Sequence, residues 1–229
     1  MKQLALDFAS QPLPTLDNFL VGRNGELIAN LRRLATRQAH ERFLYAWGRP
    51  GSGRSHLLKG TVAGLQRAGA AAVLISCAAE TRLAEGLDRM DCVALDDVDR
   101  IDEEGQIAAF SLYNALRERN GALLACGSAP PVQLKLREDL VTRLAWGLVY
   151  QVHALTDDEK AQALADHAAG RGFRLLPEVC DYLLTRASRD LPSLLATLDA
   201  LDRYSLETKR PVTVSLAREL LQAADRRDR

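Results

Sequence analysis

The sequence predicts an α/β domain built on a parallel five-stranded sheet sandwiched by helices, followed by a small all-helical domain. Short uninterrupted apolar runs recur between about Arg42 and Val152, with helical patterns between them. Uninterrupted runs suit strands covered on both faces, whereas a strand with one wet face alternates apolar and polar residues. After Leu155 no run of comparable strength follows, and only helical periodicity remains.

The first strand is Phe43-Leu44-Tyr45-Ala46-Trp47, and it leads straight into Gly48-Arg49-Pro50-Gly51-Ser52-Gly53-Arg54-Ser55. That octapeptide fits the phosphate-binding pattern G-x-x-x-x-G-K-[ST] at every fixed position but one, where Arg54 stands in place of lysine. A helical pattern, His56-Leu57-Leu58-Lys59-Gly60, follows. A glycine-rich turn alone would be uninformative; a strand before it and a helix after it supply the required context. Successive backbone N–H groups then form an anion-binding nest at the positive end of a helix dipole. Gly48, Pro50, Gly51, Ser52, Gly53 and Arg54 are the expected phosphate contacts, with Ser55 placed to ligate Mg²⁺.

The remaining strands are read at 71–76, 92–95, 122–126 and 147–152, all β-compatible apolar runs. Between the third and fourth, Glu104 to Arg119 carries apolar residues at Ile107, Phe110, Leu112 and Leu116, which predicts a helix with that face on the sheet. The run Cys92-Val93-Ala94-Leu95 ends in Asp96-Asp97. Asp96 is expected to hold the water shell of Mg²⁺, and Asp97 to polarise an attacking water. Hydrolysis is expected to be feeble beside binding. The fork of Arg54 differs in reach from an ammonium, and Asp97 is one methylene shorter than a glutamate.

In the C-terminal part, Thr156-Asp157-Asp158-Glu159 reads as a capping box opening a helix that ends at Gly170 and Gly172. Further helices are expected over Pro177 to Arg186, Asp190 to Ser205 and Val214 to Ala224. The division is thus 1–12, 13–154 and 155–229.

Composition narrows the function. With 30 basic and 30 acidic residues the formal charge is zero, which removes any global electrostatic drive toward nucleic acid. The four cysteines are scattered and mostly in apolar runs, so neither a disulfide framework nor a zinc site is expected. None of His40, His56, His153 and His167 is spaced as part of a metal set. No apolar stretch suits a signal peptide or a membrane span, and a cytoplasmic protein without membrane contact is expected.

Several blocks together, Thr15-Leu16-Asp17-Asn18-Phe19-Leu20-Val21-Gly22, Gly48 to Leu58, Asp96-Asp97, Ser128-Ala129-Pro130-Pro131 and Arg143-Leu144-Ala145-Trp146-Gly147-Leu148, resemble the ATPase core of the bacterial replication initiator DnaA. DnaA belongs to the AAA+ proteins. The resemblance runs from about residue 13 to 225 and implies an AAA+ core with a helical lid. The chain stops after that lid, so the resemblance is to the short DnaA-homologous regulators. It implies that Asp17, Asn18, Phe19, Leu20 and Val21 line the adenine pocket and that His56 lies beside the loop as a neighbour of the nucleotide. Ser128 takes the sensor-1 position and Arg189 the sensor-2 position. Arg143 takes that of an arginine finger acting in trans on a neighbour's γ-phosphate. Trp146 and Gly147 are expected to serve packing. The implied ligands are ADP or ATP with Mg²⁺, and self-association through AAA+ interfaces is expected.

The first residues add a partner. Gln3-Leu4-Ala5-Leu6-Asp7-Phe8 looks like the peptide by which replication proteins dock on the DNA polymerase III sliding clamp. Gln3 would be the hydrogen-bonding anchor and Leu4, Leu6 and Phe8 the apolar plugs. An N-terminal strand would show the same alternation. The resulting expectation is regulatory inactivation of DnaA, preventing over-initiation of replication. An ADP-bound chain would dock on the DNA-loaded clamp, meet DNA only through it, and stimulate hydrolysis of DnaA-bound ATP. A helicase-loading ATPase and a clamp-bound adaptor are the alternatives.

Overall fold

The computed structural model describes residues 13–187 and 190–225, which fall into two units, Leu13–Ala154 and one beginning at Leu155. The first unit has the chain order α1 (Gly25–Ala35), β1 (Phe43–Trp47), α2 (Arg54–Arg67), β2 (Ala72–Ser76), β3 (Cys92–Asp96), α3 (Glu103–Glu118), β4 (Ala122–Gly127), α4 (Glu138–Trp146) and β5 (Leu148–Gln151). The strands lie within a residue or two of their expected places.

All pairings are parallel, in the order β2-β3-β4-β1-β5. The strand preceding the glycine-rich loop therefore lies inside the sheet, between β4 and β5. Trp47 pairs with Gly127 and with Gln151, while Ser76 pairs with Asp96. The carboxyl ends of β1, β3 and β4 thus share one edge, where open α/β sheets place their ligands.

Alternate residues of each strand serve different cores. Leu44, Ala46, Cys92, Ala94, Leu124 and Cys126 pack under α1 and α2. Tyr45, Val93, Leu95, Leu123 and Ala125 pack under α3 and α4. Burial on both faces accounts for the unbroken apolar runs.

Two features depart from the sequence reading. Helix α1 was not anticipated, although Leu27, Ile28, Leu31 and Leu34 form its buried face. The sheet-facing side of α3 is built from Gly105, Ala109, Leu112, Tyr113 and Leu116, while Ile107 is exposed. Close approach sets this rotation: a Cβ on Gly105 would meet the Thr81 carbonyl oxygen at 2.2 Å. Small residues let the helix settle where a larger apolar stripe would not fit.

The second unit holds α5 (Asp157–Gly170), α6 (Pro177–Arg186), α7 (Leu191–Thr208) and α8 (Val214–Asp225). Leu164, Val179, Leu183, Leu194, Leu198, Leu201 and Leu216 form its core. The capping box is complete: Thr156 Oγ1 accepts from the Glu159 N–H, and Glu159 Oε2 accepts from the Thr156 N–H at 2.7 Å. Among the described residues, no helix is long and apolar enough to cross a membrane.

Candidate nucleotide-binding site

The loop after β1 is shaped by its glycines. Gly51 and Gly53 have φ of +78° and +98°, in the region open mainly to glycine. Gly53 also lies against Phe19, whose Cε2 would be 2.6 Å from an added Cβ. Phe19, one of the expected pocket residues, therefore caps the loop.

The segment carrying Phe19 is fastened to α2 by His56. Its Nε2 sits 2.9 Å from both the Thr15 carbonyl oxygen and Asn18 Oδ1. Asn18 spends its remaining capacity locally, accepting from the Thr15 N–H and donating to the Leu13 carbonyl. His56 and Asn18 thus hold the Phe19 segment beside the first turn of α2. Leu20 is exposed and Val21 packs against the core. Asp17 does not face the loop: its side chain is 83% exposed and pairs with Arg32 at 3.7 Å. A surface ion pair explains it better than a place in the adenine pocket.

Two buried polar atoms of the loop region have no partner in the protein, Ser52 Oγ and Arg54 Nη1. Burying such atoms without a hydrogen bond costs free energy, and an anion in the nest would satisfy them. The first turn of α2 has no acidic residue, so the positive helix end also lacks a counter-charge of its own. These features fit a phosphate-bearing ligand. Gly48, Pro50 and Ser55 complete the loop at its two ends.

The acidic edge lies across from the loop. Asp96 is buried at the end of β3, and its Oδ1 accepts from the Cys126 thiol at 2.8 Å. Asp97 follows in the left-handed region, φ 53°, and its N–H donates to Cys126 Sγ at 3.4 Å. Burial first, then the charge of Asp96, pushes the Cys126 thiol well above the usual range, so it stays a protonated donor. One ligand atom each from Asp96, Asp97 and Cys126 lies within 4.8 Å of the others. The two carboxylates suit a hard cation such as Mg²⁺, whereas the protonated thiol serves to orient Asp96. Sequence spacing gives no sign of this thiol, because it arrives on the neighbouring strand.

Asp97 Oδ1 accepts from Arg54 Nη2 at 3.0 Å, with side chains 30% and 11% exposed respectively. At the tip of β4, Ser128 Oγ donates to Asp99 Oδ2 at 2.6 Å, and the Tyr45 hydroxyl donates to the Ala129 carbonyl. Ser128 therefore stands at the acidic edge through Asp99, whose Oδ1 is buried without a partner.

Arg143 lies in the last turn of α4. Its Nε donates to Asn114 Oδ1 at 2.9 Å, and its guanidinium lies 4.0 Å from the Trp146 ring centroid and 5.1 Å from that of Phe110. Arg117 approaches the same indole at 4.9 Å. Trp146 is 53% exposed, so it is a platform for arginines and not the buried packing residue expected. Stacking by guanidinium groups explains a surface indole. Gly147 does serve packing, since a Cβ there would meet the Phe43 carbonyl oxygen at 2.1 Å. Arg189, Gln3, Leu4, Leu6 and Phe8 lie outside the described residues.

With this geometry in place, residues 157–221 match the family model of the Hda lid domain. Over that segment the chain is Hda-like. Domain III of the Thermotoga maritima replication initiation protein DnaA is similar in structure, with a TM-score of 0.73 at 21% identity, over 93% of this chain and 98% of that one. A DNA replication initiation factor gives a TM-score of 0.70 at 20% identity, over 86% of this chain and 66% of that one, so the chain spans just under two thirds of its length. AMPPCP-bound DnaA from Aquifex aeolicus gives 0.67 at 21% identity, over 86% of this chain and 70% of that one. These likenesses establish the AAA+ fold with a C-terminal helical lid.

Proposed function

We propose that this chain is a cytoplasmic AAA+ regulator that holds ADP with Mg²⁺ and inactivates ATP-bound DnaA on the DNA-loaded sliding clamp. The carrying observation is Arg143. Among the described residues no carboxylate pairs with it; its guanidinium rests on Trp146 and Asn114 at the surface of an Hda-like chain. A cation held by neutral groups keeps its charge for a partner, and an arginine supplied in trans stabilises the charge developing on a transferred γ-phosphoryl group. Chemistry then takes place in the pocket of DnaA. The nucleotide of this chain acts as a structural ligand with weak or no turnover, held by the loop amides, Arg54 and Ser55, with Ser55 and Asp96 facing the cation.

In the same reading Gln3, Leu4, Leu6 and Phe8 dock on the clamp, Ser128 and Arg189 sense bound nucleotide, and copies of the chain meet through AAA+ faces. The test is phosphate release from ATP-bound DnaA with DNA-loaded clamp. Arg143→Ala should abolish stimulation while retaining clamp binding, and Gln3→Ala should lose both. Undiminished stimulation by the two variants would overturn the proposal.

A further inference from the structure

Arg54 stands between the phosphate loop and the acidic edge, and its two terminal nitrogens have different partners. Nη2 donates to Asp97 Oδ1 at 3.0 Å, while Nη1 is buried with nothing to donate to. The guanidinium is rigid and planar, so it can give one donor to a phosphate while keeping the other on the carboxylate. A lysine ammonium is a single point of charge that a polyphosphate would draw away from a lone carboxylate.

The carboxylate has few other restraints. The Asp97 backbone is fixed independently, by its N–H to Cys126 Sγ and by its carbonyl, which accepts from the Arg100 N–H at 2.9 Å. Its side chain remains partly open to solvent. Freeing it from Arg54 would leave a carboxylate at the tip of β3, on the edge where the γ-phosphate of a triphosphate would lie.

We infer that the Arg54–Asp97 pair is a brake on this pocket: the arginine that grips phosphate also ties up the carboxylate that would orient a water. The inference rests on the reading of the loop as a nucleotide site. Once released, Asp97 accepts a hydrogen bond from a water whose oxygen forms the new bond to the γ-phosphorus. The bond from that phosphorus to the β,γ-bridging oxygen breaks, its electrons leave with ADP, and the proton of the water ends on the phosphate or in solvent.

The experiment uses the full chain with fluorescent N-methylanthraniloyl ADP for affinity, and single-turnover hydrolysis of ATP with Mg²⁺. With ATP saturating for each variant, as set by its own probe affinity, Arg54→Lys should hydrolyse ATP at least about tenfold faster than wild type. Adding Asp97→Asn to Arg54→Lys should remove that gain, again with ATP saturating for the double variant. Hydrolysis by Arg54→Lys no faster than wild type at saturating ATP, or a gain that survives Asp97→Asn, would each overturn the brake. Wild-type protein that takes up no nucleotide would instead sink the reading of the loop itself.

Discussion

Each buried thiol of the sheet domain sits among negative neighbours. Cys77 follows β2 and feels the charges of Asp96, Asp97 and Asp99, Cys126 touches Asp96, and Cys92 feels Asp91. Burial is the larger cause at all three, and it pushes Cys77 and Cys92 up to about 12 from an ordinary value of 9.0. Thiols so placed stay neutral and unreactive, which accords with a packing role. They also make stability pH-dependent. The unfolded chain sheds the Cys77 and Cys92 protons near pH 9 and the native chain near 12, so the native state binds more protons between the two. Their stabilisation is complete below pH 9 and is lost as pH rises toward 12. Urea midpoints measured from pH 7 to 11 should fall above pH 9. Cys92→Ala should flatten that fall by about 1 kcal/mol per pH unit, and an unchanged slope would refute the assignment.

Helix α4 links the sheet to the surface: Leu140 and Leu144 are buried beneath it, while Arg143 and Trp146 lie on its outer side. Removing the indole takes away two guanidinium stacks on a half-exposed ring, about 1 kcal/mol in all. Trp146→Ala should therefore fold with a nearly unchanged urea midpoint. Because Arg143 would lose the surface that sets its pose, stimulation of DnaA hydrolysis should fall close to the Arg143→Ala level, with partial recovery in Trp146→Phe. Full stimulation by Trp146→Ala would show that Asn114 alone positions the arginine. The strands were legible because burial on both faces leaves an unbroken apolar run, and the lid helix α5 because its capping box is a local signal. Helix α1 was not, because its cap residue Asn24 makes no capping bond; its side chain instead holds the backbone of His153, 129 residues away. The Arg54–Asp97 pair and the Cys126 thiol were hidden for the same reason, since each joins positions brought together only by the sheet.

At the scale of the whole molecule, the chain consists of two units with separate cores, and the loop with orphaned polar atoms belongs to the first. Ser52 Oγ and Arg54 Nη1 lie buried without partners, so the folded protein by itself bears a cost that a ligand can relieve. Any ligand bound only by the native state stabilises it by mass action, about 2.7 kcal/mol at a hundredfold excess over Kd. For a chain of this size that is a rise of roughly 8 °C in the unfolding midpoint. On the proposed reading the loop would hold phosphates beyond the first, because the amides of a strand–loop–helix nest cradle a polyphosphate tail and a single phosphate leaves most of them unmet. ADP with Mg²⁺ should therefore raise the thermal midpoint by several degrees, whereas AMP at the same concentration should leave it nearly unmoved. Differential scanning calorimetry of the full chain separates the two outcomes. Equal shifts with ADP and AMP would mean that base contacts around Phe19 carry the affinity, and the loop would then be a structural turn between β1 and α2.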